Sequence, residues 1–139
     1  MKLTFESNLA YQQEAIQAVV NLFEGQMSEE SGCQYSLNEN GVLDLIAGIG
    51  NRLVLSKEQI LANLQKVQQQ NNILCSDTLE DMHFSIEMET GTGKTYVYLR
   101  TIYELNKKYG FKKFVIVVPS VPIREGVLKN LQITHEHFQ

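Results

Sequence analysis

An α/β fold, with parallel strands covered by helices behind an N-terminal helical region, is predicted by three observations. From Met82 onward the chain reads strand, turn, helix, strand, helix within about 50 residues, the order of a parallel βαβ unit. The turn that follows the first strand is Gly-rich. Upstream of it, apolar residues recur at helical spacing. The 139 residues are 43% hydrophobic and 20% charged, which suits a packed core of at most one ordinary domain and excludes a disordered tail or a collagen-like repeat.

The first helix is predicted from about Asn8 to Glu24. Ser7 or Asn8 caps it, Ala15, Ile16, Val19, Val20 and Phe23 form its apolar face, and Gly25 stops it. A polar, Gly-containing loop follows. The second helix is predicted over Lys57–Gln70, opened by a Ser56/Gln59 capping box, with Ile60, Leu61, Leu64 and Val67 as its stripe. HFSIEM at 83–88 alternates with period two, as a strand does. A third helix follows from about Lys94 to Tyr109, with Tyr98, Ile102, Leu105 and Tyr109 on one face and Gly110 as its stop. KFVIVVP at 113–119 is a continuous apolar run, expected of a strand buried on both faces. Pro122 near a first turn then starts a last helix.

Several classes are excluded. The likeliest membrane segment, residues 41–50, is short and interrupted by Asp44, and the first ten residues lack the apolar region of a secretion signal. Cys33 and Cys75 have no Cys-x-x-Cys partner and read as reduced thiols, so the cytoplasm is the expected compartment. His83, His135 and His137 read as packing or surface residues, and His135 and His137 lack the carboxylate and Cys company of a metal site. The net charge is −4, but residues 1–80 carry 4 basic and 10 acidic side chains, whereas residues 81–139 carry 8 and 6. The KKYGFKK cluster at 107–113 reads as a solvated helix end.

The segment that carries chemistry is METGTGKT, Met88 to Thr95. A phosphate-binding loop needs a tight turn between strand and helix, so that backbone N–H groups converge on phosphate oxygens. Gly91 and Gly93 permit that approach, with Thr90 before them and Thr92 between them as further expected nucleotide-binding residues. Lys94 reaches the β- and γ-phosphates, and the Thr95 hydroxyl ligates Mg²⁺, so ATP and Mg²⁺ are the expected cofactors and Lys94 and Thr95 the expected catalytic residues. Met88 stands where the general pattern begins with Gly. Gln12, on the apolar side of the first helix, presents a carboxamide that matches an adenine edge; the same group is suited to tying down backbone at a helix N-terminus.

Residues 84–127 resemble the N-terminal motor region of the restriction subunit of type III restriction-modification enzymes, which are superfamily-two helicase-like ATPases. METGTGKT is similar to their first helicase motif, Tyr11-Gln12 to their adenine-reading Gln motif, and VVPSVPIREG to motif Ia. The resemblance implies a partial RecA-like lobe, with residues 1–25 as a helix bearing the adenine-reading Gln, 26–82 as an insertion, and 83–139 as the start of the ATPase lobe. It implies DNA-backbone contacts from Ser120 and Arg124; a capping role for Ser120 and a surface ion pair for Arg124 are the alternatives. It implies double-stranded DNA and a methyltransferase (Mod) subunit as partners. Another superfamily-two motor and a stand-alone nucleotide-binding module are the other functional readings. Hydrolysis in such motors needs an apolar strand ending in Asp-Glu. After Thr95 the acidic residues are Glu104, Glu125 and Glu136, none at such a place. The rest of the motor and a nuclease domain are therefore expected outside this sequence, and the chain alone is expected to be inactive.

Overall fold

Four helices carry most of the described chain: α1 (Ala10–Asn21), α2 (Lys57–Gln70), α3 (Lys94–Tyr109) and α4 (Val121–Thr134). The computed structural model describes residues 9–27, 36–37, 43–44 and 51–134. No helix among these residues is long and apolar enough to cross a membrane.

Each helix begins and ends for a local reason. The amides of Gln12 and Gln13 open α1 by donating to the Leu9 carbonyl at 3.0 and 3.1 Å, and Leu9 supplies no side-chain cap. The predicted caps, Ser7 and Asn8, lie outside the described residues. α2 has the expected reciprocal cap: Gln59 N–H donates to Ser56 Oγ at 3.3 Å, and Ser56 N–H donates to Gln59 Oε1 at 2.9 Å. Glu58, exposed in that first turn, is held below its ordinary carboxylate value chiefly by a hydrogen bond from the Ser56 side chain. Its contribution to the helix is therefore present at neutral pH and is lost as the pH falls through the lowered value. α3 starts and stops on left-handed glycines, Gly93 at φ 82° and Gly110 at φ 73°.

α1 lies on α3, and the core sits between them. Ile16 and Val20 from α1 meet Val97, Leu105 and Tyr109 from α3 and Phe111 just beyond it. Phe23 meets Phe111 edge-on with ring centroids 5.4 Å apart. The buried Tyr109 hydroxyl donates to the Val20 carbonyl at 3.0 Å, so this polar atom of α3 is satisfied by the last turn of α1. The buried face of α3 contains the expected Leu105 and Tyr109, but in its first half Val97 and Thr101 take the places expected of Tyr98 and Ile102. Val97, Thr101, Leu105 and Tyr109 form the i, i+4 row, while Tyr98 and Ile102 are half-buried.

α2 docks on the end of α1 through a buried carboxamide. Asn63 Nδ2 donates to the Leu22 and Glu24 carbonyls at 3.1 and 2.9 Å, satisfying acceptors that the helix end cannot satisfy itself. Replacing Asn63 with Ala is expected to lower unfolding stability by about 1–3 kcal/mol, because two carbonyls lose a buried donor. Urea denaturation measures it, and an unchanged midpoint would show that water replaces the amide without cost.

The expected α/β fold, a partial RecA-like P-loop NTPase lobe with parallel strands covered by helices, is not what the structure contains. Among the described residues the one ladder is a two-residue antiparallel pair, Ser36–Leu37 (β1) with Leu43–Asp44 (β2). Residues 83–88 and 113–119 form no strand. The reason is that alternation and apolar runs favour a pleated surface, whereas a strand exists only when a neighbour completes its ladder. Val115 and Val117 are 89% and 87% exposed, so the FVIVV run is covered on one face at most.

Candidate functional site

The site is built where α1 meets the entrance of α3. Met88 is half-buried and packs on the core cluster, anchoring the chain just before the Gly-rich turn. That contact gives a use for the one position at which this segment departs from the general phosphate-loop pattern. Beyond it the backbone turns through Gly91 (φ 81°) and Gly93 (φ 82°), a region L side chains rarely enter. A Cβ at Gly91 would meet open space, but one at Gly93 would stand 2.7 Å from Gln12 Nε2.

Three hydrogen bonds hold this turn. Thr92 Oγ1 and Lys94 Nζ both donate to the Glu89 carbonyl, at 2.7 and 2.8 Å. Gln12 Nε2 donates to the Thr92 carbonyl at 2.9 Å, across 80 residues of sequence. Gln12 is itself buried on α1, so the carboxamide fixes the turn against the helix that carries it. The Lys94 ammonium is exposed and lies across the turn, and Thr95 is half-buried one residue further on. The first turn of α3 contains no acidic residue, so the positive end of its dipole is not offset by a carboxylate of its own.

Chemically, this arrangement suits an anion. Backbone amides, a Lys ammonium and a helix N-terminus converge on one short turn. For a metal the donor set is sparse: among the described residues no three His, Cys, Asp or Glu side chains group together. The half-buried Thr95 offers one hydroxyl oxygen at the start of α3, and Mg²⁺ is a hard cation that keeps several waters and takes other oxygens from phosphates.

Gln12 and the segment Thr90–Thr95 are thus brought together. Ser120 and Arg124 are not part of that cluster. Both are exposed at the start of α4, where the Arg124 amide donates to the Ser120 carbonyl at 3.1 Å. Neither hydrogen-bonds to Gln12 or the turn. His83 is exposed and Cys75 is a free thiol, while His135, His137 and Cys33 lie outside the described residues. Sequence reasoning missed the Glu89 carbonyl, which receives both Thr92 and Lys94; a backbone acceptor leaves no side-chain signature by which to find it.

The family model described as type III restriction enzyme, res subunit, matches residues 7–138. The chain is 36% identical over 141 residues to the Res subunit of the type III restriction-modification enzyme EcoPI of Escherichia phage P1, covering 98% of this chain and 14% of that protein. It is also 36% identical over 144 residues to the EcoP15I Res subunit of Escherichia coli, with the same coverage. Against the StyLTI Res subunit of Salmonella typhimurium, identity rises to 54% over 56 residues, 40% of this chain. The chain thus spans about 14% of the length of the first two relatives.

Proposed function

Because this chain belongs to the type III restriction enzyme res-subunit family, we propose that it supplies the ATP-binding part of a subunit that couples ATP hydrolysis to DNA translocation and endonucleolytic cleavage. The observation that carries this reading is the turn Glu89–Lys94, held by Gln12 and opening onto the N-terminus of α3. Within it, the amides of Thr90–Lys94 orient phosphate oxygens, and the Lys94 ammonium exchanges the Glu89 carbonyl for the β- and γ-phosphates. Bound ATP·Mg²⁺ supplies the scissile phosphoanhydride and the charge neutralisation that phosphoryl transfer requires. The Thr95 hydroxyl provides one Mg²⁺ ligand. Gln12 commits one amide hydrogen to Thr92, and that bond leaves its other hydrogen and its oxygen for an adenine edge. Ser120 and Arg124 contact the DNA backbone from the start of α4. In the whole enzyme the partners are double-stranded DNA and a methyltransferase subunit that reads its sequence.

Isothermal titration of the chain with ATP and Mg²⁺ tests the reading. Lys94→Ala is expected to weaken binding by about 1.5–3 kcal/mol, the usual worth of a hydrogen bond to a charged group, or roughly 10–100-fold. Equal binding by both proteins would sink the phosphate role of Lys94. In the same titration, Gln12→Ala is expected to weaken ATP more than inorganic triphosphate, by about 1–2 kcal/mol. Equal losses would make Gln12 a brace for the turn and nothing more.

A further inference from the structure

We propose that the far end of α3 carries a second nucleic-acid contact, a phosphate-binding surface formed by Lys107, Lys108, Lys112 and Lys113. The inference rests on the reading of the chain as part of a DNA-handling subunit, but it concerns residues outside the nucleotide site. α3 has 16 residues and so spans about 24 Å, which places these lysines at the opposite end from Lys94.

The backbone that presents them is held from three sides. Gly110 reverses the chain in a left-handed conformation, and Asn106 Nδ2 donates to the Phe111 carbonyl at 2.7 Å. Asn51, distant in sequence, clips the next two residues. Its Oδ1 accepts from the Lys112 and Lys113 amides at 2.8 and 3.0 Å, and its Nδ2 donates to the Lys113 carbonyl at 2.6 Å. Tyr109 and Phe111 turn into the core, whereas all four lysines are exposed. Among the described residues none of the four forms an ion pair; the nearby Glu104 is engaged with Arg100 at 2.7 Å. Favourable interaction with the helix dipole accounts for Lys107 and Lys108 in the last turn, but Lys112 and Lys113 lie beyond the helix.

The chemistry selects the partner. Protein–protein interfaces are depleted in Lys and depend on buried aromatic anchors, and here the aromatic residues face inward. A phosphate backbone needs only fixed positive charge at its surface. Neutralising about four phosphates predicts a slope of log K against log[salt] of about −3 to −4.

Fluorescence anisotropy with a labelled duplex, titrated in KCl, decides the matter. The Lys112→Gln/Lys113→Gln variant is expected to reduce the slope by about 2 and to weaken binding at the lowest salt at least tenfold. The charge-matched variant Lys66→Gln/Lys129→Gln is expected to keep the wild-type slope. Equal loss in both variants, no loss in the first, or no salt-dependent binding by wild type would each overturn the proposal. So would a polyglutamate peptide displacing the duplex from the wild-type chain but not from Lys112→Gln/Lys113→Gln, since the patch would then serve an acidic protein. ATP titration of Lys112→Gln/Lys113→Gln, expected to match wild type, separates failure here from failure of the nucleotide reading.

Discussion

Gly93→Ala is expected to cost about 2–4 kcal/mol of stability and to abolish measurable nucleotide binding. Two effects add. A left-handed conformation at φ 82° costs an L residue about 1–2 kcal/mol. The new Cβ would stand 2.7 Å from Gln12 Nε2, so the amide must leave the Thr92 carbonyl, losing a part-buried hydrogen bond worth about 1–2 kcal/mol. The two residues should therefore be coupled. In a Gln12→Ala background only the backbone cost remains, and Gly93→Ala should be milder by about 1–2 kcal/mol. Strict additivity in that double-mutant cycle, read by urea denaturation, would contradict the contact.

Tyr109→Ala carries the larger expected loss of global stability, about 3–5 kcal/mol. The side chain is 4% exposed, and its ring lies 6.3 Å from Phe23 and 6.2 Å from Phe111. Truncation empties the aromatic cluster at the end of the α1–α3 contact. Tyr109→Phe keeps the ring and removes only the donor to Val20, so about 1–2 kcal/mol is expected there. A comparable loss from both would assign the stabilisation to the hydroxyl and not to packing.

What was legible in the sequence is what local chemistry decides. The Ser56/Gln59 cap and the glycines at 93 and 110 set helix ends within a few residues, and α2 and α3 lie where their patterns put them. The spacing likewise puts Gly91, Gly93, Lys94 and Thr95 at a tight turn that opens a helix, as found. Relations between distant segments were not legible. The run 113–119 has the composition of a covered strand, yet composition does not say whether a neighbour is present to pair with it. Gln12 drew attention for its carboxamide, but its contact with Thr92 depends on how α1 lies on α3. On α3 the pattern finds Leu105 and Tyr109 but favours the large Tyr98 and Ile102 over the smaller Val97 and Thr101; Thr101 buries its hydroxyl by donating to the Val97 carbonyl at 2.8 Å.

The bond from Gln12 to Thr92 closes a loop of 80 residues, and the one from Tyr109 to Val20 a loop of 89. Closure entropy grows only logarithmically with chain length, so doubling such a loop costs about 0.6 kcal/mol. The two halves of the site are joined by helix packing, and the segment at 51–63 is pinned to residues 22–26, just beyond α1, through Gln26 and Asn63. The stretch between Met27 and Asn51 can therefore grow or shrink in evolution at little thermodynamic expense. The entropic toll falls instead on the rate of folding: helices form locally and fast, whereas the Gly-rich turn acquires its brace only after remote parts of the chain have met.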